Sequence, residues 1–147
     1  MRKTLPLAAF LVLLAAAAFA QATVTPSGDL KIPKKGIGST AVFFPYNAGG
    51  VAMEVFAVKA PDGTIRTALN TCQVCYSSGR GYYTQQGDLL VCNNCGNRFL
   101  ATQVELIKGG CNPVPIARDQ KKEDAEFITI PKAVLEEARP LFLKWKR

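Results

Sequence analysis

The most regular pattern in the chain is the alternation over residues 51–58. Val51, Met53, Val55 and Ala57 share one face, and Ala52, Glu54, Phe56 and Val58 the other. This period of two predicts a strand. Pro61-Asp62-Gly63 makes a tight turn, and Ile65, Thr67 and Leu69 alternate on the return, so the two runs form a hairpin. Residues 40–46, rich in Val and Phe, predict an earlier strand, with Asn47-Ala48-Gly49-Gly50 as its turn. Beyond the hairpin, Tyr82 and Tyr83 open a further strand and Gln85-Gln86-Gly87-Asp88 turns it back. Residues 89–91 then run as a strand into Cys92. Residues 126–130 are the last predicted strand. Pro131 opens a short helix in its first turn, where a missing N–H does no harm. Val134, Leu135 and Ala138 form its apolar face and Pro140 ends it. Leu141, Phe142 and Trp145 either close over the core or dock on a partner.

Two segments lie outside this pattern. Residues 21–38 carry Pro26, Gly28, Pro33, Gly36 and Gly38 among Lys31, Lys34 and Lys35, and read as an extended, partly flexible N-terminal arm. Residues 1–20 have the form of an export signal. Arg2 and Lys3 precede an apolar run, and Ala18-Phe19-Ala20 offers small residues at a cleavage point before Gln21. The run is short for a membrane anchor. The expected layout is therefore a signal peptide at 1–20, an arm at 21–38, and one β-rich domain at 39–147. The localisation expected from this is periplasmic or otherwise exported. No later stretch is apolar enough to cross a bilayer.

Loss of the first twenty residues takes the net charge from +7 to +5 and leaves 127 residues, enough for one domain. No run of basic residues is interleaved with aromatics, which argues against nucleic acid. An acidic partner protein or a membrane surface stays open. The chain has no histidine. Mixed Cys/His metal sites are excluded, and so is the usual general base of nucleophilic catalysis. No hydrolytic or transferase activity is expected.

All five cysteines fall within residues 72–111: the pair Cys72 and Cys75, the pair Cys92 and Cys95, and Cys111 alone. Two C-x2-C pairs at this separation are the sequence form of a four-thiolate metal site. Each pair lets one turn aim two sulfurs at a common point, and each is fed by a predicted strand. Gly96 directly after Cys95 fits a knuckle in which backbone N–H groups turn toward sulfur. Phe99 is placed to fold back beneath the site. Four sulfurs suit zinc or iron, including iron–sulfur clusters. Cys111, between Gly109-Gly110 and Asn112-Pro113, reads as a fifth ligand, an exchange partner or a packed thiol. The built turn around it favours a place next to the metal, from which Asn112 would donate to a sulfur. Arg80, Arg98 and Lys108 read first as ordinary surface and second as charges offsetting the thiolates. Tyr82 and Tyr83 read first as core or sheet residues.

These residues carry a resemblance. Asn70-Thr71-Cys72-Gln73-Val74-Cys75, Gly81-Tyr82, Gln85-x-Gly87, Val91-Cys92-x-x-Cys95-Gly96, Arg98-Phe99 and Gly109-Gly110-Cys111-Asn112-Pro113-x-Pro115 resemble the FtrD-like family of membrane iron–sulfur-containing proteins over residues 51–116. The resemblance implies Cys72, Cys75, Cys92 and Cys95 as ligands of an iron–sulfur cluster or a single iron, with Cys111 near or on the site. It also implies a role beside a membrane iron permease in bacterial iron uptake. Larger members of that family carry membrane helices before this domain. A second similarity joins residues 92–99 to the second ligand loop of Rieske proteins, with Cys95 where the histidine would stand. It implies a Rieske-like plan of small stacked antiparallel sheets, with a rubredoxin- or zinc-ribbon-like plan as the alternative, and no Rieske cluster.

Three functions compete on this reading. The first is an exported iron or iron–sulfur module for electron transfer or iron handling. The second is a structural zinc site stapling a β domain that binds a partner. Arg2-Lys3 is not a twin-arginine signal, so the chain is expected to cross the membrane unfolded and load its metal outside, which favours a single zinc or iron ion. The third is a thiol–disulfide protein, which lacks the usual βαβ context.

Overall fold

A computed structural model describes residues 21–147; the expected signal segment lies outside the described residues. The chain is mainly β, with eleven short strands in three small antiparallel sheets and one short helix near the C-terminus among the described residues. The first sheet has the order β1 (Thr23–Val24), β2 (Leu30–Pro33), β11 (Phe127–Ile130), β10 (Lys122–Glu123). The second runs β3 (Val42–Ala48), β4 (Val51–Lys59), β5 (Ile65–Cys72), β9 (Pro113–Pro115). The third is β6 (Tyr83–Gln86), β7 (Leu89–Cys92), β8 (Arg98–Leu100).

Strand β4 explains the layering. Both of its faces are apolar, so each must be covered. Met53, Val55 and Ala57 pack with Leu30, Ile32, Ile128, Ile130 and Leu135 in one core. Phe56 and Val58 pack on the opposite side with Tyr83, Leu90, Phe99, Cys72, Cys75 and Cys92 in a second core. The middle sheet thus separates an aliphatic half from a half that holds the cysteines. Helix α1 (Lys132–Ala138) buries Leu135 and Ala138 on the aliphatic side, as the spacing of its apolar residues predicts.

Residues 21–38 are not a loose arm. Strand β2 pairs with β11, Ile32 opposite Ile128 and Leu30 opposite Ile130. Leu30 and Ile32 are fully buried. The folded unit therefore includes much of the segment placed before residue 39. Two apolar residues alternating around Lys31 are too short a signal to outweigh the neighbouring Gly and Pro, and their partner strand lies almost a hundred residues away. Strands β9 and β10 were also unmarked, because β9 is Pro-Val-Pro and β10 is two charged residues. Proline is tolerated in β9 because the strand lies at the edge of its sheet.

The C-terminal aromatics close over the core. Phe142 is buried, Trp145 meets it edge-on at 5.6 Å, and the Trp145 Nε1–H donates to the Asn70 carbonyl at 2.8 Å. Trp145 also packs edge-on against Tyr82 at 6.3 Å. The end of β5 is therefore held from behind, two residues before the first cysteine.

Candidate metal centre

Each cysteine pair begins at a strand end. β5 runs through Cys72 itself, which pairs with Pro113 of β9 after a register shift from Leu69. β7 ends on Cys92, opposite Tyr83 of β6. Both chains then turn sharply. The Cys75 N–H donates to the Cys72 sulfur at 3.3 Å. In the second loop the Gly96 N–H donates to the Cys92 carbonyl at 2.9 Å, with Gly96 at φ +71°, a conformation glycine adopts without strain. The amides two and three residues later, Val74 and Cys75 in one loop and Asn94 and Cys95 in the other, favour the ionised form of the Cys72 and Cys92 sulfurs. The two loops are equivalent knuckles.

Residues 81–83 join the knuckles. The Gly81 carbonyl accepts from the Cys72 N–H at 2.7 Å, and the Tyr82 carbonyl accepts from the Asn93 N–H at 2.8 Å. The Tyr83 N–H donates to Asn70 Oδ1 at 2.7 Å. A third loop closes the site. The Tyr83 hydroxyl donates to the Cys111 carbonyl at 2.7 Å, and Asn97 Nδ2 donates to the same oxygen at 2.8 Å. The Gly109 N–H donates to Gln73 Oε1 at 3.1 Å and the Gln73 N–H to the Asn112 carbonyl at 3.2 Å. Asn112 does not reach a sulfur: its side chain donates to the Gly109 carbonyl at 2.6 Å and caps its own loop. Glu105, at the far end of that segment, accepts from the Thr67 N–H of β5 at 2.5 Å and pairs with the nearly buried Lys121.

All five cysteines are free thiols. Their sulfurs form two groups, Cys72–Cys75–Cys111 and Cys75–Cys92–Cys95, with the sulfurs in each within 4.8 Å of one another. Cys75 belongs to both. The site is graded from inside to outside: Cys72 and Cys92 are fully buried, Cys75 nearly so, Cys111 half-buried and Cys95 exposed. Tyr83, Leu90 and Phe99 back it with apolar surface, as anticipated for Phe99. Arg80, Arg98 and Lys108 all lie exposed, and the salt bridges found among the described residues do not use them. They match the plain surface reading.

The five thiols differ in how readily they ionise. Burial pushes the Cys92 thiol up to about 12, with Cys95 and Cys72 adding to it. Cys111 is also raised to about 12, first by its contact with Cys95 and then by burial. Burial opposes ionisation of Cys72, but the nearby Tyr83 side chain and the Cys75 and Val74 amides outweigh it and hold that thiol below its ordinary value. The Asn97 amide does the same for Cys95. Crowded thiolates repel one another and cannot all ionise without a positive centre. A metal held by these cysteines would supply that centre and favour their thiolate form. The donor set, all sulfur with amide hydrogen bonds, fits zinc or iron.

Tyr83 was read as a sheet residue, and it is one, at 1% exposure. Its hydroxyl is also part of the site, which nothing in the local pattern marks. Tyr83→Phe is expected to keep the fold, lose about 1 kcal/mol of stability and loosen the 109–112 loop. Hydrogen exchange at Gly109 and Gly110 checks this: unchanged protection there would contradict the bracing role.

The fold and site define a small β domain whose two knuckles gather cysteine clusters that could hold a metal ion. The family model described as membrane iron-sulfur containing protein FtrD-like matches residues 38–142. The chain belongs to that family. A search of curated proteins and a search of solved structures each found no match. No helix among the described residues is long and apolar enough to cross a membrane.

Proposed function

We propose that this chain is an exported iron–sulfur electron-transfer module serving bacterial iron uptake. The observation that supports it is the spread of the sulfurs into two groups sharing Cys75. The groups bring both C-x2-C pairs to one place, and the family's description names iron–sulfur. Cys72, Cys75, Cys92 and Cys95 hold the centre in this reading.

When bound, an iron–sulfur centre supplies a one-electron couple whose potential depends on hydrogen bonds to sulfur and on exposure. The chain's residues do the rest. The Cys75 N–H donates to the Cys72 sulfur, and the Val74, Asn94, Cys95 and Asn97 amides favour the ionised form of the sulfurs they face. Leu90 and Phe99 keep water from the inner side. Exposed Cys95 leaves one edge open to a redox partner, and a membrane iron permease or its electron carrier is the partner that the family's association suggests. The export pattern of residues 1–20 supports a place outside the cytoplasm.

A stepwise reduction of the purified protein tests the reading. Visible absorption should bleach reversibly with one electron per chain, and a paramagnetic signal should appear in the reduced form. A protein that takes up no electron above the limit of water reduction is not a carrier.

A further inference from the structure

Five thiols converge where a four-ligand centre needs four. The Cys75 and Cys111 sulfurs are 3.9 Å apart, although the residues are 36 positions apart in sequence. The contact is built. Cys111 is held against the first knuckle by the Tyr83 hydroxyl and Asn97 side chain on its carbonyl, and by Gln73, which bonds both Gly109 and Asn112. Gln73 lies within the first C-x2-C pair, so the loop and the knuckle form one unit.

We propose that Cys75 and Cys111 are a redox modification site: in the metal-free protein they close a disulfide that withdraws Cys75 from the ligand set and blocks metal loading. The gating part rests on the metal-centre reading above; the disulfide itself does not. The reagent class is a small-molecule disulfide. The Cys111 sulfur, half-buried and reachable from solvent, gives up its proton as it attacks a sulfur of glutathione disulfide, whose S–S bond breaks and releases one glutathione thiolate. The Cys75 sulfur, 3.9 Å away, then gives up its proton as it attacks the Cys111 sulfur and releases the second glutathione thiolate. Two electrons pass to glutathione disulfide, the two protons end on glutathione thiols, and one protein disulfide forms.

Closure within either C-x2-C pair has more against it. It would consume the Cys72 or Cys92 sulfur, each fully buried and out of reach of a reagent in solvent. The Cys75–Cys111 pair takes a sulfur from a separate loop and leaves the second knuckle whole. Reduction by a dithiol reverses the step and restores four paired cysteines for the metal.

The experiment uses the full chain stripped of metal and reduced, then exposed to glutathione disulfide. Peptide mapping by mass spectrometry should find a Cys75–Cys111 cross-link, lighter by two hydrogens than the reduced pair. Cobalt(II) uptake, read from its thiolate bands, should fall in the oxidised protein and return with dithiothreitol. Cys111→Ser should bind cobalt when reduced and lose that capacity about tenfold more slowly under the same oxidant. Circular dichroism keeps a folding defect apart from a blocked site. Cross-links confined to other pairs, Cys72–Cys75, Cys92–Cys95 or a bond from Cys95 to Cys75 or Cys111, overturn the proposal, and so does equal loss of uptake in Cys111→Ser. If reduced wild type binds no cobalt, the metal-centre reading and the gate fall together, while the cross-link map still decides the pairing.

Discussion

Gly81→Ala is expected to abolish metal retention and to cost about 3 kcal/mol or more of stability. A Cβ at this position would lie 2.4 Å from both the carbonyl carbon and the oxygen of Cys75, and 2.7 Å from the Tyr76 nitrogen. These are backbone atoms of the first knuckle and cannot swing aside as a side chain can. The same residue gives its carbonyl to the Cys72 N–H, and its neighbour Tyr82 gives its own to Asn93 in the second knuckle. A methyl group here therefore pushes the two sulfur pairs out of register as well as overpacking the core. Neighbouring Gly79 is the comparison, since it sits at φ +81° and its Cβ would meet the Lys144 and Arg147 carbonyls at 2.9 Å. Gly79→Ala should destabilise by loosening the C-terminus and leave metal content closer to normal. Metal content and thermal unfolding, measured on both variants, make the check. Full metal content in Gly81→Ala would contradict the idea that residues 81–83 couple the knuckles.

The second large effect separates the cysteines. Cys92→Ser should release the metal and lower stability by several kcal/mol, because metal binding to such a site is itself folding free energy. Cys92 is 1% exposed, at the end of β7 and backed by Tyr83. A serine there leaves a poor ligand in an apolar wall. Cys111→Ser should leave most of the metal bound, since the four paired cysteines remain and the loop is held through the Cys111 backbone carbonyl, which serine also has. Metal-to-protein ratios after identical purification decide the matter. Equal loss in the two variants would mean that Cys111 is an obligatory ligand and that the four-cysteine set is wrong.

The cysteine spacing made the gathering of sulfurs legible, because each C-x2-C pair after a strand end turns two sulfurs toward one point. The hairpin of β4 and β5 was legible for a similar reason: its alternation is long and its turn residues are specific. What escaped notice depended on partners far away in sequence. Leu30 and Ile32 mean little until β11 lies beside them. Trp145 could equally have met a partner until Asn70 and Tyr82 were placed beneath it. Tyr83 looked like any aromatic in a strand, and its hydroxyl became informative only once the 109–112 loop folded onto it. Asn112 was misassigned because proximity to a cysteine in sequence was read as proximity to its sulfur, whereas the turn directs the amide at the Gly109 carbonyl.

These cases share a physical cause. Local periodicity reports which face of an element is buried, while knuckle geometry reports where two sulfurs point. Neither reports which loop will brace which. In this fold the bracing comes from a short run, Gly81-Tyr82-Tyr83, that touches all three cysteine-bearing segments through backbone or hydroxyl bonds. Its importance follows from position between the knuckles, and its composition alone did not announce it.

The account stands most directly on what the five sulfurs hold. Iron, acid-labile sulfide and zinc should be measured together on protein recovered without added metal, with a visible spectrum of the same sample. Iron and sulfide in equal amounts, with thiolate charge-transfer bands, is the result expected of an iron–sulfur centre on Cys72, Cys75, Cys92 and Cys95. Zinc at about one per chain, with no sulfide and no colour, would contradict it and make the site a structural staple.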